Sequence, residues 1–330
     1  MQVKPDAAHV NWQGVVSIER IDDSMMPWRT PHENHVLFPK PLLERSAMPA
    51  GVRISLRSNT THISGSIIEQ GDTGMIDLCC DGEFIASYDL KGENQFKFDN
   101  LSSDDKLIEL WLPQYGRFQL RHLDIDDGAS LDPFLDKRPR WITYGSSITQ
   151  CRAAASPTQT WPAVVARECN FNLTCLGYGG QCHLDPMIIR MIRDLPANYI
   201  SMCLGINILG ASSLGPRAFR PAIIGAVEII REKHADIPIV LMSPIFATNR
   251  EENKNSVGFN LQIMREEVQS AAEALVSHGD ENIHYVNGLD IFCSEYIELL
   301  PDDVHPDAEG YRVMGKNFAT KVASKYFVES

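Results

Sequence analysis

The sequence predicts two parts: an all-β sandwich of jelly-roll type over residues 1–135, then an α/β domain with a parallel sheet over residues 136–330. Two observations carry this. Short runs alternating apolar and polar residues fill the first part, and a period of two is the mark of a half-buried strand. After Asp127-Gly128 the rhythm changes to strand-length apolar runs alternating with helix-length segments, the pattern of a parallel sheet with helices on both faces. The charged, proline-bearing stretch 132–139 between them suits a linker.

In the first part, residues 51–57, 61–67 and 95–98 alternate as strands. Asp81-Gly82 lies between the runs 76–80 and 83–88, and Asp-Gly between two such runs is a strong hairpin signal. Residues 106–112 form a further strand, and the alternation resumes over 116–123 after a Pro113-to-Gly116 turn. Many short strands separated by turns suggest a sandwich or jelly roll. In the second part, strands are predicted at 141–144, 173–176, 199–204, 237–242 and 283–286. Helices are predicted at about 159–169, 186–194, 217–234, 259–277 and 308–326. Asp185-Pro186 reads as a helix start, with Asp as cap and Pro in the first turn.

The formal net charge of −13 disfavours a nucleic-acid partner, because phosphates would be repelled. No apolar run approaches the roughly 18 residues of a membrane span. Met1-Gln2-Val3-Lys4-Pro5-Asp6 is not followed by the apolar region of a signal peptide, so no membrane partner and a cytoplasmic location are expected. The eight cysteines are then expected to be reduced, mostly buried thiols. Cys182-His183, without a second ligand cluster, does not make a metal site.

Ligands of parallel sheets gather at the carboxyl ends of the strands. Ser147 in Gly145-Ser146-Ser147 follows the first predicted strand and Gly177-Tyr178-Gly179-Gly180-Gln181 the second. Asn207 follows the third, and His305 precedes the last helix. A serine hydroxyl attacks an acyl carbon only when a base takes its proton, and His305 can be that base. Asp302, three residues earlier, can fix the imidazole tautomer and stabilise its charged form. The tetrahedral oxyanion needs preorganised donors; Ser147 N–H, Gly180 N–H and the Asn207 amide are suitable. Each piece alone is a common turn or cap. Together, at successive strand ends, they point to acyl transfer.

These four blocks give the region from about 140 to 325 a resemblance to the SGNH/GDSL hydrolases, whose name residues match Ser147, Gly180, Asn207 and His305. The resemblance implies a flavodoxin-like three-layer α/β/α catalytic domain, Asp302 rather than Asp303 as the acid, and no metal or organic cofactor. The front half resembles the β-sandwich preceding the catalytic domain in some bacterial members, among them carbohydrate deacetylases and acyltransferases of antibiotic pathways. Two positions depart from the family pattern. Its Gly-Asp-Ser is Gly145-Ser146-Ser147 here, and its Gly-x-Asn-Asp is Gly205-Ile206-Asn207-Ile208.

The expectation is therefore a serine esterase acting on a small-molecule or carbohydrate acyl ester with a short acyl group, such as an O-acetylated sugar or natural product. An acyltransferase with the same triad is the first alternative. A non-catalytic carbohydrate-binding protein is the second, and an oligomer is compatible with either. Arg152 can bind an acidic or hydroxyl-bearing substrate group or simply flank a helix. Gln181 and His183 can line the pocket. His183 reads as a structural or substrate-contact residue rather than the base, since no acid is paired with it. Trp161 reads as core of the first helix, with a sugar-facing role as the other option.

Overall fold

The computed structural model describes residues 1–327. The chain forms two compact units. One comprises Met1–Arg138 with Ala155–Thr158 and Asn172–Cys175; the other comprises Pro139–Ala154, Gln159–Phe171 and the chain from Leu176.

The first unit holds strands β1 (Gln2–Val3), β2 (Asn11–Gln13), β3 (Ser17–Ile21) and β4 (Ser24–Trp28), then a short helix α1 (Lys40–Ser46). Strands β5 (Arg53–Ser58), β6 (Ile63–Ile67), β7 (Met75–Cys80) and β8 (Glu83–Asp89) follow. Then come β9 (Gln95–Phe98), β10 (Lys106–Trp111) and β11 (Leu120–Ile125). One antiparallel sheet runs β3-β4-β11-β6-β9, with β1 on β11, and the other β2-β5-β10-β7-β8. Ile54, Leu56, Ile108 and Leu110 of one sheet share a core with Ile63, Phe96, Leu120 and Leu123 of the other. Two antiparallel sheets facing one core make the predicted sandwich. The Asp81-Gly82 hairpin forms as expected, with both residues at positive φ (+49° and +83°) as a type I′ turn requires. Residues 116–119 are not strand; β11 begins at Leu120, just after the Pro113–Gly116 turn region.

Buried ion pairing inside this unit is dense. Arg53 is fully buried against the Trp111 ring (4.8 Å) and donates to the Leu173 carbonyl at 3.0 Å. Arg138 bridges Glu109 and Asp136, each at 2.7 Å. Asp77 of β7 has no exposed surface. Its Oδ2 accepts Ser156 Oγ (2.6 Å), Thr158 N (2.9 Å) and Thr158 Oγ1 (2.6 Å).

The second unit holds β12 (Arg140–Gly145), α2 (Ser147–Gln150), α3 (Trp161–Glu168), the end of β13 (Asn172–Gly177, whose first four residues belong to the first unit) and α4 (Pro186–Asp194). Next come β14 (Tyr199–Cys203), α5 (Ile206–Ala211), α6 (Pro216–Arg231), β15 (Ile239–Met242) and α7 (Leu261–Ser277). The chain continues with β16 (Ile283–Val286), α8 (Gly288–Ile291) and α9 (Ala308–Phe318). The sheet order is β13-β12-β14-β15-β16, and β12, β14, β15 and β16 pair in parallel. Every residue of β15, and every one of β12 after Arg140, is buried. Continuous burial means that both faces of the sheet are covered. Helix α3 packs on α9, and α6 packs on α4 and α7. This is the flavodoxin-like order 2-1-3-4-5, in which the chain reverses direction beside its first strand. That switch point, at β12, β13 and β14, is where the candidate residues emerge.

The expected cap of α4 differs. Asp185 occupies the N-cap position, but its side chain makes no capping bond and its Oδ2 is buried without a partner. Burial raises the Asp185 carboxyl above the usual range, and the neighbouring His183 only partly offsets this. No helix among the described residues is long and apolar enough to cross a membrane. None of the eight cysteines is in a disulfide; Cys79, Cys151, Cys175 and Cys182 are buried and the other four partly so.

Candidate active site

Ser147 is the first residue of α2, directly beyond β12. Ser146 caps this one-turn helix, its Oγ accepting Ile148 N–H at 3.2 Å. Serine and aspartate cap helices about equally well, so the departure from Gly-Asp-Ser keeps the local geometry. Cys151 ends the helix in the left-handed region (φ +61°) and donates its N–H to the Ser147 carbonyl at 2.8 Å. The Ser147 side chain is half-buried.

Ser147 Oγ lies 2.8 Å from His305 Nε2, and His305 Nδ1 lies 2.7 Å from Asp302 Oδ2. An ionised carboxylate only accepts, so Nδ1 carries the proton and Nε2 is the lone pair facing the hydroxyl. Asp302 Oδ1 accepts the N–H groups of His305 (2.7 Å) and Val304 (3.1 Å). Partial burial raises the Asp302 carboxyl, but these donors and the imidazole outweigh it and hold it below the usual carboxylate range. Asp303 sits at φ +66° and is exposed. It turns the loop so that Asp302, not Asp303, meets the ring.

The loop after β13 is a tight turn. Gln181 N–H closes on the Tyr178 carbonyl at 2.9 Å, with Gly180 at φ +72°. Positive φ at the third residue marks a type II turn, the reason for glycine there. A side chain on Gly180 would meet nothing within 4 Å, so the space in front of it is open. The other N–H groups of the loop are engaged: Tyr178 with the Gly145 carbonyl (2.8 Å), Gly179 with Gln150 Oε1 (2.9 Å) and Cys182 with Asn207 Oδ1 (3.0 Å). Gly180 N–H has no partner among the described residues. Because Asn207 Oδ1 is held by Cys182, its Nδ2 is the free end of the amide. Ser147 N–H, at the helix start, is likewise without a partner among the described residues. Preorganised N–H donors of this kind, with a hydroxyl facing an imidazole lone pair, are what formation of a tetrahedral oxyanion calls for. Ile208, where the family pattern has an acid, is fully buried and apolar.

The remaining sequence candidates fall differently. His183 spends both ring nitrogens inside the protein, on the Gly180 carbonyl (3.0 Å) and Ser213 Oγ (2.8 Å). Gln181 is half-buried beside the turn, and Arg152 is exposed just past α2. Burial holds the Cys182 thiol well above its ordinary range, so it stays protonated. Trp161 is fully buried, and its Nε1–H donates to the Ile148 carbonyl at 3.0 Å, so the core reading holds. A small, mostly apolar cleft with a cavity volume of about 20 Å³, partly open to solvent, lies among residues next in sequence to Ser147 and Asn207. Its lining includes Ser146 and Ile148 on either side of Ser147, and Ile206 beside Asn207.

Residues 138–322 match the GDSL-like lipase/acylhydrolase family model. The chain belongs to the GDSL-like lipase/acylhydrolase family. Residues 10–121 also match the model of the SsfX3 N-terminal domain. Among solved structures, this family member is similar to a salicylyl-acyltransferase, SsfX3, from a tetracycline biosynthetic pathway. The two are 33% identical over 98% of this chain and 97% of that one, with a TM-score of 0.91. A putative GDSL-like lipase from Bacteroides ovatus ATCC 8483 shares the fold at 19% identity, TM-score 0.81, covering 100% of this chain and 98% of that one. A family two carbohydrate esterase from Clostridium thermocellum, solved with cellohexaose, shares it at 15% identity, TM-score 0.65, covering 84% and 93%. A comparison with curated protein sequences gave no match. As a GDSL-family protein with esterase and acyltransferase neighbours, the chain is an enzyme of the acyl-ester hydrolase or acyltransferase type.

Proposed function

We propose that this GDSL enzyme is a serine-dependent acyl-ester hydrolase acting on short-chain acyl esters through Ser147, His305 and Asp302. The observation that carries the reading is the continuous relay Ser147 Oγ to His305 Nε2 (2.8 Å) and His305 Nδ1 to Asp302 Oδ2 (2.7 Å). Ser147 Oγ attacks the acyl carbon while His305 Nε2 takes its proton. Asp302 holds the ring and balances its charge. The oxyanion is received by Ser147 N–H, Gly180 N–H and Asn207 Nδ2. Collapse expels the alcohol, which leaves with the proton from His305, and water activated by His305 then releases the acid. The acyl group in this reading is short, and the alcohol side is a sugar or natural-product hydroxyl.

One observation favours a second reading. The 33% identity over 98% of the chain is to a salicylyl-acyltransferase. In that reading an alcohol acceptor replaces water in the second half-reaction, with every other role unchanged. The first test is hydrolysis of p-nitrophenyl acetate and butyrate by the wild type, Ser147→Ala and His305→Ala. Loss of about 10³-fold or more in both folded variants is expected; equal rates in all three would sink the triad. Product analysis with added alcohols then separates the readings, as free acid alone supports the hydrolase and new ester the transferase.

A further inference from the structure

The oxyanion loop is held from beneath by a residue of the nucleophile's own helix. Gln150 is the last residue of α2, one turn beyond Ser147, and is only 4% exposed. Its Oε1 accepts Gly179 N–H at 2.9 Å across 29 positions of sequence. A backbone N–H can only donate, so the oxygen end of the amide must face it. The approach is close: a Cβ on Gly177 would lie 2.4 Å from Gln150 N. Gly177 is thus the residue that lets the end of β13 rest on α2.

We infer that Gln150 is a positioning residue for the oxyanion hole, fixing the direction of Gly180 N–H relative to Ser147. The peptide between Gly179 and Gly180 carries that N–H, and the rotation of this peptide is set where Gly179 is tied. The tie runs to the same four-residue helix that presents Ser147 Oγ and Ser147 N–H. One short element therefore sets the nucleophile and two of the three donors. Without the acceptor, Gly179 N–H is an unsatisfied group next to an exposed glycine at positive φ. The peptide can then turn to find another partner and carry Gly180 N–H out of line. A misplacement of about 1 Å costs on the order of 100-fold in rate.

This inference rests on the oxyanion-hole reading above, and the experiment separates the two. Gln150→Met keeps the side-chain volume and removes the acceptor. It is measured beside Asn207→Ala for kcat and KM on p-nitrophenyl butyrate, and for affinity toward butylboronic acid, which forms a tetrahedral adduct on the serine. Gln150→Met is expected to lose about 10- to 100-fold in kcat with KM within about two-fold. Its boronate affinity is expected to fall in parallel. A loss of activity through KM alone, or unchanged kcat and boronate affinity, would overturn the inference while a strong Asn207→Ala loss leaves the hole intact. A fully active Asn207→Ala would instead overturn the hole itself. Should Gln150→Met fail to fold, amide hydrogen exchange on the wild type decides. Gly179 N–H protected in the free enzyme, and Gly180 N–H protected only with the boronate, supports the clamp; a freely exchanging Gly179 N–H refutes it.

Discussion

Trp161 Nε1–H donates to the Ile148 carbonyl at 3.0 Å, so the buried first residue of α3 is tied to the residue that follows Ser147. The indole also packs in an aromatic cluster with Trp141 (5.9 Å) and Phe318 (5.0 Å). A helix of one turn has almost no stability of its own. The position of Ser147 therefore comes from such outside ties. Trp161→Phe keeps much of the ring and removes the donor. Thermal and urea unfolding are expected to show a loss of about 1–2 kcal/mol. Ester hydrolysis is expected to fall about 3- to 10-fold, with most of the change in kcat. An unchanged kcat in a destabilised variant would limit Trp161 to a packing role.

The proposed mechanism gives Asn207 two roles, at the two ends of one amide. Oδ1 holds Cys182 N–H at 3.0 Å, and in the proposed reading Nδ2 meets the oxyanion. Asn207→Asp separates them, since a carboxylate still accepts from Cys182 but offers no donor. Its melting temperature is expected to stay within about 3 °C of the wild type, while kcat falls at least about 100- to 1,000-fold. Asn207→Ala removes both functions and is expected to lose activity together with order in the loop. Equal activity of the Asp variant and the wild type would remove Asn207 from the chemistry.

The buried charges of the sandwich predict an acid-sensitive first unit. Asp136 accepts Arg138 Nε (3.0 Å) and Nη2 (2.7 Å), Arg138 N (2.9 Å) and Gln13 Nε2 (2.8 Å). Burial raises its carboxyl, but the Arg138 guanidinium outweighs this and leaves it below the ordinary range. A depressed folded-state pKa stabilises above the unfolded value of about 3.9 and is lost as pH falls through the folded value. Asp136→Asn loses the charge of these bonds to Arg138 and is expected to be less stable than the wild type at pH 7 by about 1.5–3 kcal/mol. The gap is expected to narrow once pH drops below about 4. Urea midpoints of both proteins at pH 7 and pH 3.5 check this, and a gap that widens in acid would refute it.

The strands of both units are legible because period two and continuous apolar runs follow directly from which faces are covered. The long helices are legible for the same reason at period 3.6. What escapes is short or non-local. Helices α2, α5 and α8 span 4, 6 and 4 residues, too few for any periodicity. The Asp185-Pro186 signal does mark a helix start, yet burial in place of a capping bond cannot be read from the pair. The four site blocks are legible because parallel topology brings successive strand ends to one edge. His183 reads as a structural or substrate-contact residue, but its ring partners, Gly180 and Ser213, are brought near only by the turned loop. Gln150 and Asp77 carry no local signal for the bonds that matter here, to Gly179 and to Ser156 and Thr158, which lie 29 and 79 to 81 positions away.

Asp302 and Asp303 stand side by side, and the backbone decides between them. Asp303 occupies φ +66°, a region that Asp and Asn enter more readily than most residues. That turn aims Asp302 at both the ring and the N–H groups of His305 and Val304. Asp302→Asn puts an amide where Nδ1–H needs an acceptor and favours the wrong tautomer. A loss of about 10²- to 10⁴-fold in kcat is expected, with KM little changed. Asp303→Asn keeps a residue that tolerates the left-handed backbone, and its activity is expected to remain within about two-fold. Asp303→Val meets the same backbone with a β-branched side chain. It is expected to lose activity by moving the loop, although the side chain of Asp303 never reaches His305. Steady-state kinetics of the three variants on p-nitrophenyl acetate decide the assignment. An inactive Asp303→Asn beside an active Asp302→Asn would reverse the two roles.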